Sequence, residues 1–192
     1  RDVAVTGVQT CALPIYANQF NITKLKWIFE GGDSNQHSIR NGLWGLRDAG
    51  CAEDDIILVH DGVRPLVAER IITENIEKCR KYGYAITGMI CKEAIMQKVD
   101  DCVKNIDIPR ERLVRTQTPH TYPLGTLLKA HAEADAKGID GTVASCTLMA
   151  ELGVDNQHLV MGSEKNGLKL TQTEDVELFK ALKHTTKDEW LK

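Results

Sequence analysis

The chain has 192 residues, 42% of them hydrophobic and 27% charged, with a formal net charge of −3. That is enough chain for one domain with a buried core, and the acidic balance argues against nucleic acid or an anionic membrane as the main partner. No apolar run reaches the roughly 20 residues of a membrane-spanning helix, and no charged-then-apolar leader pattern is visible.

Residues 1–15 carry no amphipathic period. They resemble a translated sequencing adaptor and are set apart as a foreign segment, with 16–192 as the domain; the rival reading is a genuine short strand. Residues 26–30 (KWIFE) alternate and predict a strand, which Gly31 and Gly32 break. Residues 34–49 place Ile39, Leu43 and Leu46 on one helical face, with Gly50 just past the end. The run DIILVH, 55–60, has the look of a strand buried on both faces of a parallel sheet. A helix over 66–82 turns Ile72, Ile76 and Cys79 inward and stops at Gly83, and 84–90 is another buried strand.

An extended excursion over 94–106 turns at Asp100-Asp101. A short strand follows at 113–116. Pro123 suits the first turn of a helix running to Lys137. A helix over 143–152 closes at Gly153, and short strands are expected at 158–161 and 168–170. The last helix, 174–183, is preceded by Thr171-Gln-Thr-Glu174, a capping-box spacing. Strands alternating with helices predict an open α/β sheet, mostly parallel. Six cysteines (Cys11, Cys51, Cys79, Cys91, Cys102, Cys146) form no CxxC pair, which fits thiols in a reducing cytoplasm better than a zinc site or a disulfide scaffold.

In open α/β sheets, ligands sit beyond the carboxyl ends of the strands. Three segments qualify: 31–33, 60–65 and 166–171. Asp61 emerges just past the most apolar run, where a carboxylate can hold Mg²⁺ through oxygen. Arg64, three residues on, can fork onto a phosphate. The same Asp-Gly pair is also common turn chemistry. Gly31-Gly32 either ends a strand or lets backbone approach a ligand. Lys169 lies on the face opposite Leu168 and Leu170, either solvated or gripping phosphate. Arg110, Arg112 and Arg115 form a basic cluster that suits a solvated surface as well as a site. Only His60, of six histidines, lies near these segments. No zinc-binding histidine pattern and no GxSxG elbow is present.

In their order, GGDSNQHSIRNGL (31–43), ILVHDGVRP (57–65), RTQTPHTY (115–122) and NGLKLTQTED (166–175) resemble the 2-C-methyl-D-erythritol 4-phosphate cytidylyltransferase family, which includes ribitol-5-phosphate cytidylyltransferases. The likeness spans about 26–183. It implies a Rossmann-like, mostly parallel α/β sheet of the nucleotide-diphospho-sugar transferase type. It also implies an extended arm, about 92–115, exchanged across a homodimer. The reaction implied is attack of a sugar-alcohol phosphate on the α-phosphorus of CTP, with Mg²⁺ neutralising charge and pyrophosphate leaving. Methylerythritol phosphate is the first substrate expected and ribitol 5-phosphate the alternative.

By motif position the resemblance assigns Gly32, Asp33 and Ser38 to cytosine, Asp61 to Mg²⁺ and nucleotide, and Gly62 to ribose. It assigns Arg64, Thr118 and Lys169 to the sugar-alcohol phosphate. Arg110 is the arginine supplied from a partner subunit, and Asp61 and Lys169 are the residues expected to act in the reaction.

The chain departs from the family pattern in several places. Asn35 stands where an arginine is usual, His120 where glutamine is, and Gly167 is an extra residue before the lysine; residues 142–145 receive no role. The family opens with a strand and a glycine-rich loop bearing Arg and Lys, and residues 1–15 contain no such loop. The first βα units are therefore expected to be missing and this chain by itself to be inactive. A non-catalytic sugar-phosphate-binding or dimerising module, and a flavodoxin-like binding domain, are the competing readings.

Overall fold

The computed structural model describes the backbone of residues 3–7 and 12–185 and the side chains of 15–183. In chain order the elements are β1 (Val3–Gly7), α1 (Ala12–Gln19), β2 (Leu25–Glu30), α2 (Asn35–Asp48), β3 (Ile56–Val59), α3 (Glu69–Tyr82) and β4 (Ala85–Ile90). There follow β5 (Gln97–Val99), β6 (Cys102–Lys104), a 3-10 turn (Arg110–Arg112), β7 (Val114–Pro123), α4 (Leu124–Lys137), α5 (Ser145–Glu151), β8 (His158–Met161), α6 (Glu164–Gly167) and α7 (Thr173–Thr185). A four-stranded sheet has the order β3-β7-β4-β8, β1 pairs with β2, and β5 with β6. The pairs β1–β2 and β4–β8 are parallel; β4–β7 and β5–β6 are antiparallel. The result is an α/β sheet with flanking helices, as the alternation of elements predicts, with β7 antiparallel to β4 in a sheet expected to be mostly parallel.

The chain forms two compact units. One holds the residues up to Val59 with Tyr122–Gln157, the other His60–Thr121 with the residues from His158. In the first, α2 follows its local signals. Ser34 caps it, accepting from the His37 N–H at 3.1 Å, and Gly50 beyond its end takes φ +87°. Leu43, Leu124, Leu127, Leu148 and Met149 are buried in this unit. Strand β3 is only half-buried along its length, not enclosed as the apolar run suggested, because it stands at the end of its sheet's strand order. Residues 3–7, set aside in the sequence reading, form a strand parallel to β2.

In the second unit the buried face of α3 is Ile71, Asn75 and Cys79, one residue off the expected Ile72 and Ile76. A polar residue holds its centre. Asn75 donates to Ile71 O and Thr87 Oγ1, both at 2.8 Å, and accepts from the Thr121 hydroxyl. Strand β7 runs ten residues, well past the four predicted. Its pairing with β4 slips between Ile86, opposite His120, and Thr87, opposite Gln117. Thr118 and Pro119 are thus extra residues in a bulge, a device that re-aims side chains beside sites. The strand expected at 168–170 is absent; these residues form an irregular stretch directly after α6. The expected capping box before α7 is replaced by Asp175, which accepts from the Thr171 and Gln172 N–H groups and the Thr171 hydroxyl. Those donors hold its carboxyl below the usual range. The arm's turn lies where expected, with Asp100 at φ +52° between β5 and β6.

Candidate active site

Three of the predicted residues meet in the second unit. The chain after β3 turns tightly, the Arg64 N–H donating to Asp61 O at 2.9 Å. Arg64 Nε donates to Asp61 Oδ2 at 3.0 Å and its Nη1 donates to Gly167 O. Lys169 Nζ stands 3.5 Å from the same Oδ2. The Arg64 and Asp61 side chains are 13% and 24% exposed, whereas Lys169 is 46% exposed. One carboxylate therefore faces two cations, and the trio carries one net positive charge on a partly desolvated surface. Such an arrangement has the charge and the oriented donors to receive an anion.

Lys169 is placed by residues the sequence reading did not single out. Ser163 caps the short helix α6, accepting from the Asn166 N–H at 3.1 Å. Buried Asn166 donates to Gln117 Oε1 at 2.9 Å and to Thr118 O at 3.3 Å, and Gln117 Nε2 donates to Ser163 O at 3.0 Å. A Cβ on Gly162 would stand 2.1 Å from Gln117 Oε1, and one on Gly167 2.4 Å from Gln117 Nε2. The extra Gly167 of the NGLK segment therefore leaves room for the glutamine amide. Beyond it, the Leu170 N–H donates to Val63 O at 2.8 Å, tying the lysine segment to the turn that carries Asp61 and Arg64. The only trace of this clamp in the sequence is polar residues, Gln117 and Asn166, inside the recognisable motifs.

Thr118 is 7% exposed. Its hydroxyl oxygen accepts from the Asp61 N–H at 3.1 Å and lies 3.1 Å from His60 Nδ1, while His60 Nε2 is 2.9 Å from Arg64 O. The Gly62 Cβ position has no atom within 4 Å, so protein packing does not demand a glycine there. Arg110 is not brought to the trio. It is 53% exposed, bonds Lys92 O at 3.1 Å and lies 3.7 Å from Glu111. Arg115 pairs with Glu164 at 2.8 Å. His120, 1% exposed, has no partner for Nε2, and burial pushes its pKa down to about 4.

The remaining predicted residues lie in the first unit. The Gly32 N–H donates to Ser38 Oγ at 2.9 Å. A Cβ on Gly32 would lie 2.4 Å from His37 Cβ, so the close approach of α2 requires glycine here. Asp33 is exposed. Asn35, at the position of the usual arginine, donates to Val143 O at 3.0 Å. Gln36, 3% exposed, accepts from the Thr142 N–H and hydroxyl at 3.0 and 2.7 Å and donates to Ile139 O at 2.9 Å. Residues 139–143 are thereby stitched onto the start of α2, a structural role for a stretch that had none in the sequence reading. Among the described residues, no group of three or more His, Cys, Asp or Glu side chains could hold a metal, and no helix is long and apolar enough to cross a membrane.

The family model described as 2-C-methyl-D-erythritol 4-phosphate cytidylyltransferase matches residues 14–184. A ribitol-5-phosphate cytidylyltransferase of Lacticaseibacillus paracasei is 41% identical over 169 residues, covering 86% of this chain and 70% of the relative. A 2-C-methyl-D-erythritol 4-phosphate cytidylyltransferase of Clostridium acetobutylicum is 36% identical over 162 residues, 84% of this chain and 66% of the relative. Among solved structures, the 2-C-methyl-D-erythritol 4-phosphate cytidylyltransferase of Thermus thermophilus superposes with a TM-score of 0.70 at 27% identity, covering 84% of this chain and 75% of that one. The 4-diphosphocytidyl-2C-methyl-D-erythritol synthase of Anaerococcus prevotii shares the fold, with a TM-score of 0.80 at 20% identity over 95% of this chain and 81% of that one. The chain belongs to the 2-C-methyl-D-erythritol 4-phosphate cytidylyltransferase family, nucleotidyltransferases that act on sugar-alcohol phosphates.

Proposed function

We propose that the protein transfers CMP from CTP to ribitol 5-phosphate in the cytoplasm and releases pyrophosphate. The observation that carries the chemistry is the cluster of Asp61, Arg64 and Lys169 on one preformed surface. The choice of polyol rests on relatives: the ribitol-5-phosphate enzyme at 41% identity stands above the methylerythritol phosphate enzyme at 36%. Methylerythritol phosphate, first in the sequence reading, becomes the second reading.

In this scheme Arg64 and Lys169 hold the sugar-alcohol phosphate, one through a planar fork and the other as a point charge. They aim its oxygen at the α-phosphorus of CTP and withdraw charge as the bond forms. Gly32, Asp33 and Ser38 read the cytosine, and Gly62 lies against the ribose. Both cationic contacts to Asp61 fall on Oδ2. A single carboxylate suits Mg²⁺, which takes most of its ligands from phosphate and water. The residues fit that ion, and when bound it would neutralise charge on the triphosphate. Arg110, exposed and remote from the trio's contacts, is assigned to the neighbouring site of a homodimer.

Titration calorimetry with ribitol 5-phosphate and with methylerythritol phosphate reads substrate choice without requiring turnover. Tighter binding of ribitol 5-phosphate is expected. A clear preference for the methylerythritol compound would reverse the proposal.

A further inference from the structure

The hydrogen bonds around Thr118 have a direction that the distances alone do not state. A carbonyl oxygen only accepts, so His60 Nε2, 2.9 Å from Arg64 O, must carry a proton. A neutral imidazole carries one proton, so Nδ1 is then an acceptor. With the ring neutral, the Thr118 hydroxyl, 3.1 Å from Nδ1, donates to it. The same oxygen already accepts from the Asp61 N–H at 3.1 Å. Thr118 has no second proton to give.

We infer that His60 is a positioning residue whose Nδ1 takes the Thr118 hydroxyl hydrogen bond, so that Thr118 orients the Asp61–Arg64 turn and does not donate to the substrate phosphate. The chain of bonds closes on itself: Asp61 N–H to Thr118 Oγ1, Thr118 O–H to His60 Nδ1, His60 Nε2–H to Arg64 O, and Arg64 N–H to Asp61 O. Every donor and acceptor in the loop has one sense. The turn bearing the carboxylate and the guanidinium is therefore held in a single arrangement before any ligand arrives, which is how a preorganised site avoids reorganisation cost. The inference refines the proposed function by moving Thr118 from the phosphate to the turn.

Two measurements on the full chain test it. Nitrogen-15 NMR of the histidine rings at pH 9, with His60→Asn to assign the His60 signals, is expected to place the ring proton on Nε2 without any ligand. A proton on Nδ1 would overturn the inference. The second measurement is a double-mutant cycle of Thr118→Val and His60→Phe, read as affinity for ribitol 5-phosphate and checked by melting temperature. Each single change should weaken binding roughly tenfold, and the pair should also weaken it roughly tenfold, because both break one network. His60→Asn, which returns an acceptor near Nδ1, should recover most of the affinity. Additive losses, about a hundredfold for the pair, would put the Thr118 hydroxyl on the phosphate and refute the inference. If the parent chain fails to bind ribitol 5-phosphate, the substrate proposal falls, while the ring-proton measurement still decides the role of His60.

Discussion

The turn at 60–64 and the loop at 31–38 both follow a strand, yet they are fixed by opposite means. The first is held by charge and by hydrogen bonds of fixed direction: Asp61 with Arg64 and Lys169, and Thr118 with His60. The second is held by shape. Gly32 lies where a Cβ would meet α2, and the helix is anchored from behind by Gln36 and Thr142. Under the proposed function the first meets a dianionic phosphate, which needs oriented charge, and the second an uncharged base, which needs backbone at close range. The difference makes the two regions separable by experiment.

Acid should weaken both units by a shared cause. His120 in one and His131 in the other are 1% exposed, and burial lowers the pKa of each to about 4. Both nitrogens of His131 lack partners, and the fold accepts only the neutral ring. The unfolded chain takes up these protons near pH 6.5 and the folded chain near 4. This stabilisation is complete above about pH 6.5 and is lost as pH falls toward 4, by about 3 kcal/mol for each histidine. His131→Leu should flatten the pH dependence of urea unfolding across that window. An unchanged slope would mean that carboxylates alone carry the acid sensitivity.

Lys169→Ala should weaken binding of a sugar-alcohol phosphate about a hundredfold, the scale of a lost charge-assisted contact together with its steering field. Cytidine binding should stay the same. The phosphate affinity should also fall with added salt while cytidine binding does not, since half-exposed charge is screened. Equal losses for both ligands would erase the distinction between the regions.

Gly32→Ala is the converse change. Its Cβ would press on the backbone and Cβ of His37, an overpacking worth about 2 kcal/mol. Cytidine affinity should drop with thermal stability and phosphate affinity should hold, both readable by calorimetry. The smallest effect expected is from Thr142→Val, which removes one of two hydrogen bonds to Gln36 and should cost about 1 kcal/mol in urea unfolding. If Thr142→Val instead lowered phosphate affinity, residues 139–143 would belong to the charged region's support.

The elements written in local chemistry were legible from the chain alone. Ser34 with Gly50 marks α2, Gly83 stops α3, and the arm's turn falls at Asp100. The candidate residues Asp61 and Arg64 were legible too, because their motif sits at a strand end where the fold class places ligands, and Lys169 was legible through the family resemblance of its motif, although the strand expected around it is absent. The length of β7, the true inner face of α3 and the clamp that aims Lys169 were not. All three depend on polar residues buried because distant partners satisfy them: Asn75 through Thr87, Gln117 through Asn166, Thr118 through His60. A hydrophobic period registers apolar burial only, so α3 was read through Ile72 and Ile76, and the strand expected at 113–116 stopped short of the polar run 117–122 that β7 includes. The amino-acid order thus determined the fold class, the family and the charged residues of the site. Tertiary structure decided their orientation, because the local bonds of the turn are locked by others that join positions far apart in sequence, Asp61 to Thr118, Thr118 to His60 and Gln117 to Asn166, and these exist only once the chain is folded.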